Sequence, residues 1–183
     1  MKLHLRFEGV ALRRGGRLLF EGLNLEVGPG EALQITGPNG SGKSSLLRLA
    51  SGLLREERGR VERSPLALAD DAVALDRELP LARALRFWVP QPDTAMEMLG
   101  LADLGSVPIR LLSSGQLKRA TLARVAASGT PLWLLDEPLN ALDTDGCARL
   151  AQVIARHLAS GGAILAASHQ PIAGEWRTLE LAP

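Results

Sequence analysis

The chain has 183 residues, enough for one domain with a sizeable core, since a chain of this size hides roughly 70% of its unfolded surface. Its 21 Lys and Arg against 20 Asp and Glu leave a net charge of +1, without the basic excess of a nucleic-acid or polyanion binder. A single cysteine, Cys147, excludes an internal disulfide and any multi-cysteine metal site.

Residues 1–8 alternate apolar and charged, unlike the continuous apolar stretch of a signal peptide. Apolar runs elsewhere fall far short of the ~18 residues that cross a bilayer, so a cytosolic chain is expected, with any membrane role supplied by a partner. Leu3, Leu5 and Phe7, then Leu23, Leu25 and Val27, alternate with polar residues on either side of Gly15-Gly16. This pattern predicts an N-terminal antiparallel β layer. The 32–36 stretch is a short strand running into Gly37, and Leu46, Leu49, Ala50, Leu53 and Leu54 carry helical spacing after it. Mixed charge over 55–63 reads as a solvated surface segment. Short helices are predicted over 79–88 and 94–104, broken by Pro90 and Pro92. Beyond Thr130, a buried strand at 132–135, a helix at 147–158 and a buried strand at 163–167 complete an alternating α/β pattern with a largely parallel sheet.

Gly37-Pro38-Asn39-Gly40-Ser41-Gly42-Lys43-Ser44 matches G-x-x-x-x-G-K-[ST] at every fixed position, between a strand and a helix. Glycines let such a loop turn successive N–H groups toward phosphate oxygens, and the helix that follows presents its positive end to the same anion. Lys43 is placed to reach the β- and γ-phosphates, and the Ser44 hydroxyl to ligate Mg²⁺. The 132–135 strand ends in Asp136-Glu137, where Asp136 can hold the Mg²⁺ shell and Glu137 can act as general base on water. Ser113-Ser114-Gly115-Gln116 opens another helix with small residues that can face a phosphate. His169 follows the 163–167 strand at the sheet edge where ligands gather, a candidate contact to the γ-phosphate.

In this order, the loop at 37–44, Leu112-Ser113-Ser114-Gly115-Gln116, Asp136-Glu137, Asn140-Ala141-Leu142-Asp143 and His169 resemble the nucleotide-binding subunit of ATP-binding cassette (ABC) transporters. The resemblance covers essentially the whole chain. It implies a P-loop NTPase of the ABC ATPase type, one domain over 1–183. Its mostly parallel core would carry the N-terminal antiparallel layer and a short helical subdomain at about 64–128. It implies ATP held by Gly37, Pro38, Asn39, Gly40, Ser41, Gly42, Lys43, Ser44 and Ser45, with Mg²⁺ on Ser44 and Asp136. Two copies would sandwich two ATPs, each site completed by the partner's Ser113, Ser114, Gly115 and Gln116. Glu137 would polarise water, His169 would orient it, and Asp143 would couple the two sites. More narrowly, residues 33–40, 46–53, 84–88 and 131–143 resemble the cytochrome c biogenesis branch, the ATPases of haem exporters. That implies integral membrane permease subunits of the cytochrome c maturation complex as partners, at the cytoplasmic face of the inner membrane. The open alternatives are an ATPase for another permease and a soluble cassette ATPase.

Three positions depart from the family pattern. Ser114 stands where glycine is usual. Arg14 stands where an aromatic residue commonly stacks on adenine, and its guanidinium plane can stack on a base instead. For the glutamine that senses nucleotide, Pro90-Gln91-Pro92 matches locally but lies too close to Ser113. Spacing favours the Asp70-Asp71-Ala72 region, which has no glutamine. Cys147, His4 and His157 are isolated, so no direct haem contact and no nucleic-acid contact is expected.

Overall fold

The computed structural model describes residues 3–70, 72 and 74–181. Strands β1 (Leu5–Arg14) and β2 (Arg17–Val27) form a hairpin, and β3 (Ala32–Thr36) leads into helix α1 (Lys43–Ser51). Strands β4 (Arg58–Arg63) and β5 (Leu66–Ala69) follow, then the short helices α2 (Leu81–Arg86) and α3 (Asp93–Met98). Helix α4 (Ser114–Ala126), strand β6 (Leu132–Asp136), helix α5 (Thr144–Ala159) and strands β7 (Ala163–Ala167) and β8 (Arg177–Glu180) complete the order.

Two sheets result. The first is antiparallel with order β2-β1-β4; the second has order β5-β6-β7-β3-β8 and every pairing in it is parallel. Strands β6 and β7 are buried at every residue, as continuous apolar runs in a doubly covered parallel sheet must be. Their alternation divides the core. Leu132, Leu134, Ala163 and Leu165 pack with Leu46, Leu49 and the inner face of the antiparallel sheet. Trp133, Leu135, Ile164 and Ala166 pack with Leu122, Val153 and the short helices on the other face.

Two expectations shift. Part of the charged segment at 55–63 is a strand: β4 pairs antiparallel with β1, Val61 opposite Phe7, while its arginines stay exposed and Glu62 is half-buried. The helical region expected at about 64–128 starts later, because the 66–69 stretch joins the parallel sheet beside β6 and the first helix opens at Leu81. The order β6-β7-β3 makes three consecutive sheet neighbours of strands far apart in sequence. Their C-terminal ends therefore lie side by side, at the edge where α/β sheets receive ligands.

Candidate functional site

The loop leaving β3 is shaped by its glycines. Gly37 has φ +133°, and a Cβ there would run into the Leu181 carbonyl and the Ser41 hydroxyl. Gly42, at φ +104°, caps α1 and has no side chain to accept from the N–H groups of the helix's first turn. Those N–H groups, at the positive end of the helix, are the donors that an anion takes up. Lys43 is buried, and its Nζ donates to the carbonyls of Gly37 at 2.8 Å and Pro38 at 3.0 Å. The ammonium thus rests on two neutral acceptors of the loop, and a phosphate oxygen can offer it a stronger, charged one. Asn39, Gly40, Gly42, Lys43, Ser44 and Ser45 line a cleft of about 510 Å³, and Glu137 reaches it from β6.

At the neighbouring strand tips, Asp136 ends β6 buried, and Glu137 turns out of the strand with φ +44°. Its backbone N–H donates to the Ala167 carbonyl at 2.8 Å, which ties the turn to the end of β7. The Glu137 Oε2 lies 2.8 Å from His169 Nδ1, and His169 Nε2 lies 3.3 Å from the Gln170 side-chain amide. An amide N–H can only donate, so Nε2 is the acceptor of that contact and Nδ1 faces the carboxylate as the donor. A carboxylate oriented by a histidine, beside a loop built for phosphates, is equipped to take a proton from water.

The ABC transporter family model matches residues 20–140. Cytochrome c biogenesis ATP-binding export proteins CcmA are similar over nearly the full length. The one from Sphingopyxis alaskensis is 52% identical over 94% of this chain and 93% of its own, and the one from Novosphingobium aromaticivorans 54% identical over 91% and 88%. The chain belongs to this family of ABC ATPases. A solved ATP-binding subunit of an ABC transporter shares the fold with TM-score 0.84 at 21% identity, covering 91% of this chain and 79% of that one. The cbiO1 protein of Clostridium perfringens, part of the ABC transporter complex cbiONQ, shares it with TM-score 0.77 at 23% identity, covering 94% and 81%. The chain is accordingly an ATPase, and ATP is its nucleotide.

The segment from Ser113 to Gln116, expected from the resemblance to be the signature, does not line the cleft around Lys43. Ser113 caps α4 in a reciprocal box: its hydroxyl accepts from Gln116 N–H at 3.2 Å, and its own N–H donates to Gln116 Oε1 at 2.8 Å. Ser113, Ser114, Gly115 and Gln116 share a small depression with Ala141, Leu142 and Asp143. Gly115 is needed there, since a Cβ would stand 2.7 Å from the Ala141 carbonyl. Ser114 lies in the first turn of α4 and is not among the residues with positive φ, so serine fits where the family usually has glycine. Asp143 caps α5, with Oδ1 accepting from Gly146 N–H at 2.7 Å.

The two places considered for the coupling glutamine lie at opposite ends of the sheet. Asp70 follows the C-terminal end of β5, beside β6, and its Oδ1 accepts from Ala72 N–H at 3.2 Å; Asp71 lies outside the described residues. Gln91 instead lines a cavity with Gly129, Trp133, His157 and Ser160, where β6 and β7 begin. Two contributors are not apparent from the sequence motifs. Arg17 faces Arg14 across the β1–β2 turn, and both line the cleft. Lys118, one turn into α4, donates to the Asp136 carbonyl at 3.0 Å, next to Glu137; its spacing from the signature is the one clue the sequence holds.

Proposed function

We propose that the chain works as one ABC ATPase domain that energises a membrane complex of cytochrome c maturation, driving haem export or haem-chaperone release. What carries the enzymatic part is the Glu137–His169 pair beside the cleft around Lys43. What carries the narrower part is the extent of similarity to cytochrome c biogenesis export proteins.

The triphosphate lies along the backbone of Gly37, Pro38, Asn39, Gly40, Ser41 and Gly42, with the first turn of α1 and Ser45 completing the cradle. Lys43 leaves the loop carbonyls and binds the β- and γ-oxygens. Ser44 and Asp136 offer a hydroxyl and a carboxylate, the hard oxygen donors that suit Mg²⁺, and they would hold it. When bound, the ion neutralises charge on the terminal phosphates. Glu137 accepts the proton of the attacking water, while His169 fixes the carboxylate's direction and lies on the side of the γ-phosphate. Ser113, Ser114, Gly115 and Gln116 stand apart from this cleft, and in the proposed arrangement they close over the nucleotide of a second copy. Asp143, against the signature in the same depression, links one site to the other.

No helix among the described residues is long and apolar enough to cross a membrane. Attachment to the inner face of the inner membrane therefore runs through permease subunits. The exposed Phe87–Trp88 pair, packed edge-to-face at 5.4 Å, offers an apolar contact for them.

The test uses Glu137→Gln protein with Mg-ATP as bait in detergent-solubilised membranes from the native source. Recovery of cytochrome c maturation subunits is expected. Recovery of a different permease would keep the ATPase and overturn the pathway, and folded bait that retains no membrane protein would overturn both assignments of partner.

A further inference from the structure

A second cavity, of about 350 Å³, opens where β6 and β7 begin, at the end of the sheet opposite the phosphate loop. It lies between α3, through Ala95 and Met98, and α5, through Val153 and Arg156, with Trp133 of β6 at its base. It shares no lining residue with the cleft around Lys43, and the nucleotide chemistry has no use for it. Its volume is at the lower end of the range of small-molecule sites, about 300–1,000 Å³. Its two zones differ. The floor is apolar, with Ala95, Trp133 and Val153 buried and Met98 and Ala126 half-buried beside them. The rim is polar, with Gln91, Thr94, Arg156 and Ser160 exposed.

The charge on this lining has one sign. Arg156 is its one Lys or Arg, and no carboxylate lines it. The His157 imidazole stacks on Trp133, and burial holds it below its ordinary pKa, so it adds no charge at neutral pH. Arg156 reaches from α5 to α3, where its Nη1 donates to Met98 Sδ at 3.6 Å. A thioether sulfur is a weak acceptor, and a guanidinium has five N–H donors. Among the described residues Arg156 forms no ion pair, so its strong donors stand at the rim unspent. A ligand that completes this lining brings acceptors to the rim and an apolar body to the floor. A carboxylate matches the guanidinium fork with two parallel hydrogen bonds, whereas a phosphate dianion would ask for more cations than the rim offers.

We propose that this cavity binds a small amphiphilic carboxylate, its head paired with Arg156 and its medium-length apolar chain laid against Ala95, Met98, Trp133 and Val153. The site stands apart from the nucleotide cleft, and its occupant ties α3 to α5 across the start of β6.

The experiment is calorimetric titration of the wild type with octanoate, octanol and octylammonium, three probes with one chain and different heads. Saturating Mg-ADP is present throughout, so that no carboxylate is taken up by the phosphate loop. Octanoate is expected to bind at least about tenfold more tightly than the other two, the scale of a charge-assisted pair. Hexanoate should bind about ten- to twentyfold more weakly than octanoate, because two methylenes are withdrawn from the floor. Arg156→Gln, a change at an exposed position, should bring octanoate down to the affinity of octanol. Ala126→Phe, checked for the parent's circular dichroism, fills the cavity and should abolish binding of all the probes. Equal affinity for the three heads would overturn the proposal, as would octanoate that fails to bind. Octanoate binding that survives undiminished in Arg156→Gln, or in folded Ala126→Phe, would place the ligand elsewhere and overturn it too.

Discussion

Glu137 sits in the left-handed region of backbone space at φ +44°, where a side chain with a Cβ is crowded. The position is forced. Strand β6 runs straight to Asp136, and the chain must then turn at once to send the carboxylate toward His169 and the backbone N–H toward Ala167. Two variants that both delete the carboxylate separate the backbone from the chemistry. Glu137→Ala keeps the crowding, which costs about 1–2 kcal/mol for an L-residue. Glu137→Gly relieves it but brings the extra unfolded-state entropy of glycine, about 0.5–1 kcal/mol. The glycine variant should therefore be the more stable by about 0.5–1 kcal/mol, reversing the usual order of the two residues. In a chain of this size that separates their melting midpoints by a few degrees, about 2–4 °C per kcal/mol, with urea midpoints shifting in the same sense. Both should bind ATP and fail to turn it over. An alanine variant that melts above the glycine variant would refute the strained turn, and with it the account of how Glu137 is aimed.

Other outcomes follow from the same geometry. Burial holds the His157 imidazole below its ordinary pKa, where it stacks on Trp133 at 3.6 Å with the rings 10° from parallel. Between that lowered value and the ordinary one the unfolded chain binds more protons than the folded one, so stability falls as pH drops from about 6.5. Urea midpoints measured from pH 8 to pH 5 should show this slope, and His157→Gln should flatten it; an unaltered slope would assign it to other groups. Lys118→Met removes the donor to the Asp136 carbonyl and should lower kcat about tenfold with KM for ATP unchanged, while Lys118→Arg recovers most of it. A rise in KM alone would place Lys118 in nucleotide binding instead. Gln91→Ala should leave partner-stimulated turnover nearly intact, since Gln91 lies where β6 and β7 begin; a large uncoupling would reverse that assignment.

The parts of the fold written as uninterrupted apolar runs are legible in the amino-acid sequence itself. Strands β6 and β7, buried on both faces, have no other way to look, and the glycine-rich loop between β3 and α1 is spelled by its chemistry. Edge strands are not legible in this way. Arg58–Arg63 is charged because one side of it meets water, and its role depends on pairing with β1, a contact no local pattern encodes. Strand β8 is short and mostly exposed for the same reason. The first hairpin runs further than its alternation suggests, because register shifts after Phe7 and Val10 break the period of two. Those shifts hide Arg17 from any periodic pattern, although it faces Arg14 across the turn. The meeting of Glu137 with His169 is legible only as two strand tips; strand order makes them neighbours.

Steady-state hydrolysis of Mg-ATP by the wild type, Lys43→Ala and Glu137→Gln, with ATP binding measured in parallel, tests the central claim most directly. The account predicts turnover in the wild type and loss of turnover in Lys43→Ala. In Glu137→Gln it predicts a fall in kcat of at least about a hundredfold, the scale of losing a general base, with ATP still bound and a dimer accumulating. Undiminished hydrolysis in Lys43→Ala, or a monomeric and fully active Glu137→Gln, would contradict it.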